Sequence, residues 1–184
     1  MRSSGWNCSS QVVGPARPNR RKSLAGVESG AAIRGCEFTM SPALQIQELF
    51  HSKIPITRSM GVRGEHYDGE RLVISAPLEA NINHLGTAFG GSLHALAVLS
   101  GYGLLWLELQ DTECHIVIRE SSISYEHPVT GEIRATCVRP EAEALSEFKK
   151  TFHDKGKARI MLTATIEDRG RTAVRFQGTF IAMR

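Results

Sequence analysis

The sequence predicts an α+β domain in which one curved antiparallel sheet wraps a long central helix. Three observations carry this. Ser92 to Leu109 is almost uncharged: Leu93, Leu96, Ala97, Val98, Leu99, Tyr102, Leu104, Leu105, Trp106 and Leu107 all precede Glu108. A helix apolar on every side is enclosed by protein or by lipid. Its uninterrupted apolar part, between His94 and Glu108, is shorter than the ~20 residues a bilayer requires and contains Ser100, Gly101 and Gly103, so a protein core is expected. The flanking segments alternate apolar and polar residues with period two, as half-buried strands do. No β-α-β alternation and no fixed-period repeat is visible.

The elements follow in order. Ser41 and Pro42 suit the cap and first turn of an opening helix. Gly61–Tyr67, the turn pair Asp68-Gly69 and Arg71–Pro77 read as a β-hairpin. The central helix comes next, about 20 residues and so ~30 Å long. Cys114–Tyr125, rich in Ile, Val and Ser, reads as a long strand, and His127–Gly131 ends it. In Glu132–Arg139, Ile133, Ala135 and Cys137 point inward while Glu132, Arg134 and Thr136 point outward. Glu141–Phe152 is polar with helical spacing, a short helix or ordered excursion. Gly156–Glu167 and Thr172–Met183 are the last strands, joined by Asp168-Arg169-Gly170-Arg171.

With 184 residues, 41% of them hydrophobic, the chain can bury one core. Residues 1–39 differ in kind, with six Lys/Arg, two acids, many Ser, Gly and Pro, and no apolar periodicity. Such a stretch buries too little surface to offset its ordering entropy and is expected to be a disordered basic extension, from an over-extended start or an organellar transit peptide. Residues 40–184 carry 16 basic and 17 acidic side chains, so the formal charge of +3 belongs to the extension. A near-neutral domain without basic patches interleaved by stacking aromatics argues against nucleic acid. Cys8, Cys36, Cys114 and Cys137 have no metal-ligand spacing, and the seven histidines form no cluster; reduced cysteines, no metal and a cytoplasmic location are expected.

Chemistry concentrates in Asn81-Ile82-Asn83-His84-Leu85-Gly86-Thr87-Ala88-Phe89-Gly90-Gly91, directly before the central helix. A polar loop running through glycines into a helix N-terminus gathers side-chain amides and free backbone N–H groups. These can polarise a carbonyl or hold a developing oxyanion. The structural alternative is that the glycines allow close packing and Asn83 or Thr87 merely caps the helix.

This stretch, followed by Ser100-Gly101-Tyr102-Gly103, resembles the hotdog-fold thioesterase superfamily. Within it, the match is to the thioesterase-like family found as the C-terminal domain of bacterial acetyltransferase-like proteins. The resemblance runs from about Leu44 to Arg184. It includes Lys53-Ile54-Pro55-Ile56, Ser121-Ser122-Ile123-Ser124-Tyr125, Pro128-Val129-Thr130 and Gly156-Lys157-Ala158-Arg159. It implies a substrate that is an acyl thioester of acyl carrier protein or coenzyme A. Phosphopantetheine would then arrive as part of the substrate, with no separate cofactor. The family is associated with decarboxylation of malonyl-acyl carrier protein in fatty-acid initiation.

Hydrolytic hotdog enzymes commonly place an Asp or Glu on the central helix about two turns past the Gly-Gly pair; here that position is Val98 or an equally apolar neighbour. Decarboxylation needs no such acid, only a place for enolate charge on the thioester oxygen. Asn83 is the expected donor, with His84 as a donor to the substrate carboxylate or a proton source for the product carbanion. Gly90 and Gly91 offer backbone N–H groups, and Asn81, Gly86, Thr87 and Phe89 complete the substrate-binding stretch. Glu120 is the candidate base if hydrolysis occurs. Lys157 and Arg159, in a basic run with Lys149, Lys150 and Lys155, would face an acidic carrier. Acyl-thioester hydrolysis and non-catalytic acyl-thioester binding are the alternatives. A symmetric homodimer pairing edge strands is expected, with Asn83 of one chain near the Glu120 region of the other; no membrane contact is expected.

Overall fold

A computed structural model describes residues 40–184; the expected basic extension, with Cys8 and Cys36, lies outside the described residues. The elements are α1 (Pro42–Lys53), α2 (Ile56–Ser59), β1 (Arg63–Tyr67), β2 (Arg71–Ala76), α3 (Gly90–Leu109), β3 (His115–Tyr125), β4 (Ile133–Val138), α4 (Ala142–Lys155), β5 (Lys157–Asp168) and β6 (Arg171–Met183). The strands form one sheet in the order β1-β2-β4-β5-β6-β3, antiparallel throughout. With α3 on its inner face, this is the hotdog arrangement.

Local chemistry accounts for most boundaries. Ser41 Oγ accepts from Leu44 N at 3.4 Å and Pro42 occupies the first turn, so α1 starts where a cap and a proline coincide. Its buried Ala43, Ile46 and Phe50 recur at helical spacing. The carbonyl of Ala43 sits where a Cβ on Gly64 would be, at 1.8 Å, so only glycine in β1 allows α1 this close. In the first hairpin the turn is centred on Gly69-Glu70, one residue later than Asp68-Gly69. Asp68 Oδ1 instead accepts from Glu70 N and Arg71 N, both at 2.9 Å.

α3 has the expected 20 residues and is, by length and composition alone, long and apolar enough to cross a membrane. Ten of its residues are nevertheless buried within the domain. Gly101 faces Phe180 and Leu162, whereas Gly103 faces Leu72, Phe50 and Ile46. These two small residues let the sheet close around the helix. Ala95, Val98, Tyr102 and Trp106 are only partly buried and form a stripe that the sheet leaves uncovered.

Glu141–Phe152 resolves as an amphipathic helix, α4, burying Leu145, Phe148 and Phe152. Gly156, expected to open a strand, is the left-handed C-cap of α4 at φ 64°. In β4, Ile133, Ala135 and Cys137 are buried as the alternation predicts.

Candidate functional site

The loop from Asn81 to Phe89 folds back on itself and ends at the start of α3. Phe89 N donates to Asn81 O at 2.7 Å, Asn83 N to Thr87 O at 2.8 Å and Ala88 N to Val129 O at 2.8 Å. Asn83 supplies the internal scaffold. Its Oδ1 accepts from Leu85 N (2.8 Å) and Thr87 N (3.2 Å), and its Nδ2 donates to Thr87 Oγ1 (3.0 Å) and Ala88 O (3.3 Å). Both amide protons expected to face substrate are therefore engaged within the loop.

Asn81 is likewise structural. It is buried, and Nδ2 donates to Met60 O and Pro77 O, both at 2.8 Å, tying the loop to the end of α2 and the end of β2. His84, Leu85 and Gly86 form the exposed tip, and Gly86 adopts φ +77°.

What the loop presents is the helix start. Phe89, the N-cap, offers no capping side chain, and the first turn holds no acid. Among the described residues nothing accepts from the N–H groups of Gly90, Gly91 or Ser92; Leu93 N is the first to find a partner, Phe89 O at 3.1 Å. Three unpartnered donors at the positive end of a 20-residue helix suit a carbonyl oxygen or an oxyanion. A cavity of about 420 Å³ adjoins them, lined by Ile56, Met60, Phe89, Gly91 and Ala95 with Asn81 at its base. A Cβ on Gly91 would lie 2.3 Å from the Phe89 ring, so glycine there keeps the cavity wall and the amides together.

Two inner-face residues of β3 reach this helix start. Tyr125 Oη donates to Gly90 O at 3.1 Å, and Ser121 Oγ lies 3.1 Å from His94 Nε2. Sequence reasoning gave neither His94 nor Ser121 a role at the site. One signal was available: His94 is the only basic side chain between Gly90 and Leu109.

Glu120 is not brought to the loop. From the inward Ile116 and Ile118, strict alternation would turn Glu120 inward as well. A bulge between Ile118 and Glu120 shifts the register, so Ser121, opposite Gly178, takes the inner face and Glu120, opposite Thr179, takes the outer one. There it lines a shallow depression with Met161 and Gln177. Lys157 and Arg159 are also distant. Lys157 pairs with Met183, and Arg184 beside it meets Asp111 just past the end of α3. That end is ~30 Å from Gly90, the length of the helix. Lys149 is committed to Glu108 at 2.7 Å.

A family model described as "Putative thioesterase (yiiD_Cterm)" matches residues 43–184. A protein of unknown function from Chlorobaculum tepidum is 36% identical, with 78% of this chain and 99% of that chain covered at TM-score 0.72. A structure described as a "putative thioesterase" from Shewanella oneidensis is 26% identical over 78% of this chain and 98% of that one, at TM-score 0.67. A "probable thioesterase" of unknown function from Pseudomonas aeruginosa shares the fold at 23% identity and TM-score 0.66, with 76% and 93% of the two chains covered.

Proposed function

The chain belongs to the family described as "Putative thioesterase (yiiD_Cterm)", and from that premise we propose that it decarboxylates the malonyl thioester of an acyl carrier protein to the acetyl thioester in fatty-acid initiation. One observation carries the choice of reaction. The three free amides of Gly90, Gly91 and Ser92 open a helix whose uncovered stripe bears Val98, where a hydrolytic hotdog enzyme would carry an acid.

In this reaction the bond between C2 and the carboxylate breaks, carbon dioxide leaves, and the electron pair becomes an enolate with its charge on the thioester oxygen. The Gly90–Ser92 amides would hold that oxygen; removing one such donor typically costs on the order of 3 kcal/mol in the transition state. Asn83 would act through the loop that aims these amides, and the apolar cavity beside them would take the acyl end of the substrate. Lys157 and Arg159, exposed and in no ion pair among the described residues, would meet the acidic surface of the carrier rather than its reactive tip. Free thiols at Cys114 and Cys137 support a reducing, cytoplasmic setting.

The test is to incubate malonyl-carrier protein with the full chain and follow carbon dioxide, acetyl thioester and free thiol by mass spectrometry. Acetyl thioester without thiol release is expected. Thiol release would replace decarboxylation by hydrolysis, and neither product would leave acyl-thioester binding alone.

A further inference from the structure

We propose that His94 is a proton-transferring catalytic residue of this site, with Ser121 as the residue that positions its ring. The inference rests on the thioester reading above and supplies the step that reading leaves open, the return of a proton to C2.

Placement comes first. Gly91, His94 and Val98 are separated by three and then four residues, so they share one face of α3, with the Cβ atoms of His94 and Val98 ~5–6 Å apart. The imidazole thus stands one turn along from an amide that would hold the enolate oxygen, and one turn before the apolar position that replaces the usual acid. It is half-buried rather than packed away.

Orientation comes second. Ser121 Oγ lies 3.1 Å from Nε2, and the Phe176 ring backs the imidazole at 5.8 Å between centroids, tilted by 50°. Two contacts from two different strands hold a ring that would otherwise rotate freely. Ser121 faces inward only because of the bulge after Ile118. The Ser121 hydroxyl can accept from Nε2–H or donate to Nε2, so it holds the ring in either protonation state, and Nδ1 has no hydrogen-bond partner among the described residues.

The step then balances. As carbon dioxide leaves, the electron pair of the broken bond forms the enolate. A proton taken up from solvent onto Nδ1, with Nε2–H held by Ser121 Oγ, passes to C2 and gives the acetyl thioester and a neutral imidazole. The net proton comes from water, the hydroxide left behind combines with carbon dioxide as bicarbonate, and no oxidant or other co-reactant is required.

The experiment compares full-length wild type with His94→Gln, His94→Ala and Ser121→Ala on malonyl-carrier protein. The rate is read as acetyl thioester, the product that protonation of C2 forms. Loss of a general acid costs roughly 100-fold or more, so His94→Gln should lose that much kcat with little change in KM. His94→Ala should recover part of its rate when imidazole is added, which a packing role would not allow. Ser121→Ala should fall between wild type and His94→Gln. If His94→Gln keeps wild-type kcat, or if folded His94→Ala gains nothing from imidazole, the proposal is overturned and the thioester reading stands. A wild type that forms no acetyl thioester overturns both.

Discussion

Asn83 and Thr87 hold each other from both sides: Nδ2 of Asn83 donates to Thr87 Oγ1 at 3.0 Å, and Thr87 N donates back to Asn83 Oδ1 at 3.2 Å. The pair closes the loop that delivers the chain to Gly90. Each net hydrogen bond contributes about 1 kcal/mol, less where water competes, so Asn83→Ala should cost about 2 kcal/mol of stability. Activity should fall with it, because the amides of Gly90 and Gly91 lose their aim. Asn83→Asp keeps the acceptor for Leu85 N and Thr87 N, so it should melt closer to wild type. It also sets a carboxylate oxygen against Ala88 O, which Nδ2 holds at 3.3 Å, so the loop should loosen, the Gly90 and Gly91 amides should lose their aim and the rate should fall. Near-wild-type turnover by a folded Asn83→Asp protein would remove this loop from the chemistry.

At the other end of α3, Glu108 is 6% exposed and lies 2.7 Å from Lys149 Nζ and 3.0 Å from Arg139 Nε. The Arg139 contact is an ion pair without hydrogen-bond alignment, since Arg139 Nε has no directed acceptor. Burial, then the Glu108 charge, pushes the Tyr67 phenol up. Removing one partner of a fully buried pair costs ~3–5 kcal/mol. Here Lys149 and Arg139 are 40% and 35% exposed and can turn to water. Glu108→Ala should therefore cost about 1–2 kcal/mol in urea unfolding. An unchanged midpoint would show that the cluster holds nothing together.

Burial pushes the Cys137 thiol up to about 12 from 9.0. A group whose pKa is raised by folding contributes its full stability below the unfolded value and loses it as pH rises through the folded one. The window is therefore pH 9.0 to about 12. Stability should decline across it, and Cys137→Ala should lose that part of the slope. Alkylation at pH 8, mapped by peptide, should reach Cys137 only as the protein unfolds in urea. Rapid labelling of Cys137 in native protein would contradict its burial.

The fold was legible because burial repeats with the period of the backbone. Ser92 to Leu109 could be only a core or membrane helix, and the alternation at Ile133, Ala135 and Cys137 fixed a face. The site was less legible because hydrogen bonding, unlike burial, leaves no period. Asn83 stood out in the sequence, yet no pattern states whether a carboxamide faces substrate or its own loop. Glu120, read as inward or at an edge, lies on the outer face of the edge strand β3, since one added residue exchanges the two faces of a strand. The same residue turned Ser121 toward His94, so one irregularity hid both the loss and the gain.

The last prediction concerns assembly. β1 and β3 are the edges of the sheet. β1 has five residues and is covered by α1, but β3 has eleven and nothing beside it among the described residues. Beyond it α3 leaves Ala95, Val98, Tyr102 and Trp106 half-covered. An open edge next to an apolar stripe favours a second copy, with β3 meeting β3 and the stripes packing together. The protein should sediment as a dimer at micromolar concentration, and Val98→Lys, which charges the stripe, should yield monomers. Continuing a sheet across such an edge preserves its faces, so Glu120 would remain on the outside of both copies and away from either loop. Glu120→Gln should accordingly leave turnover unchanged, whatever the product. A monomeric wild type would end the pairing argument, and a large loss of rate in Glu120→Gln would mean that the two chains meet in some other way.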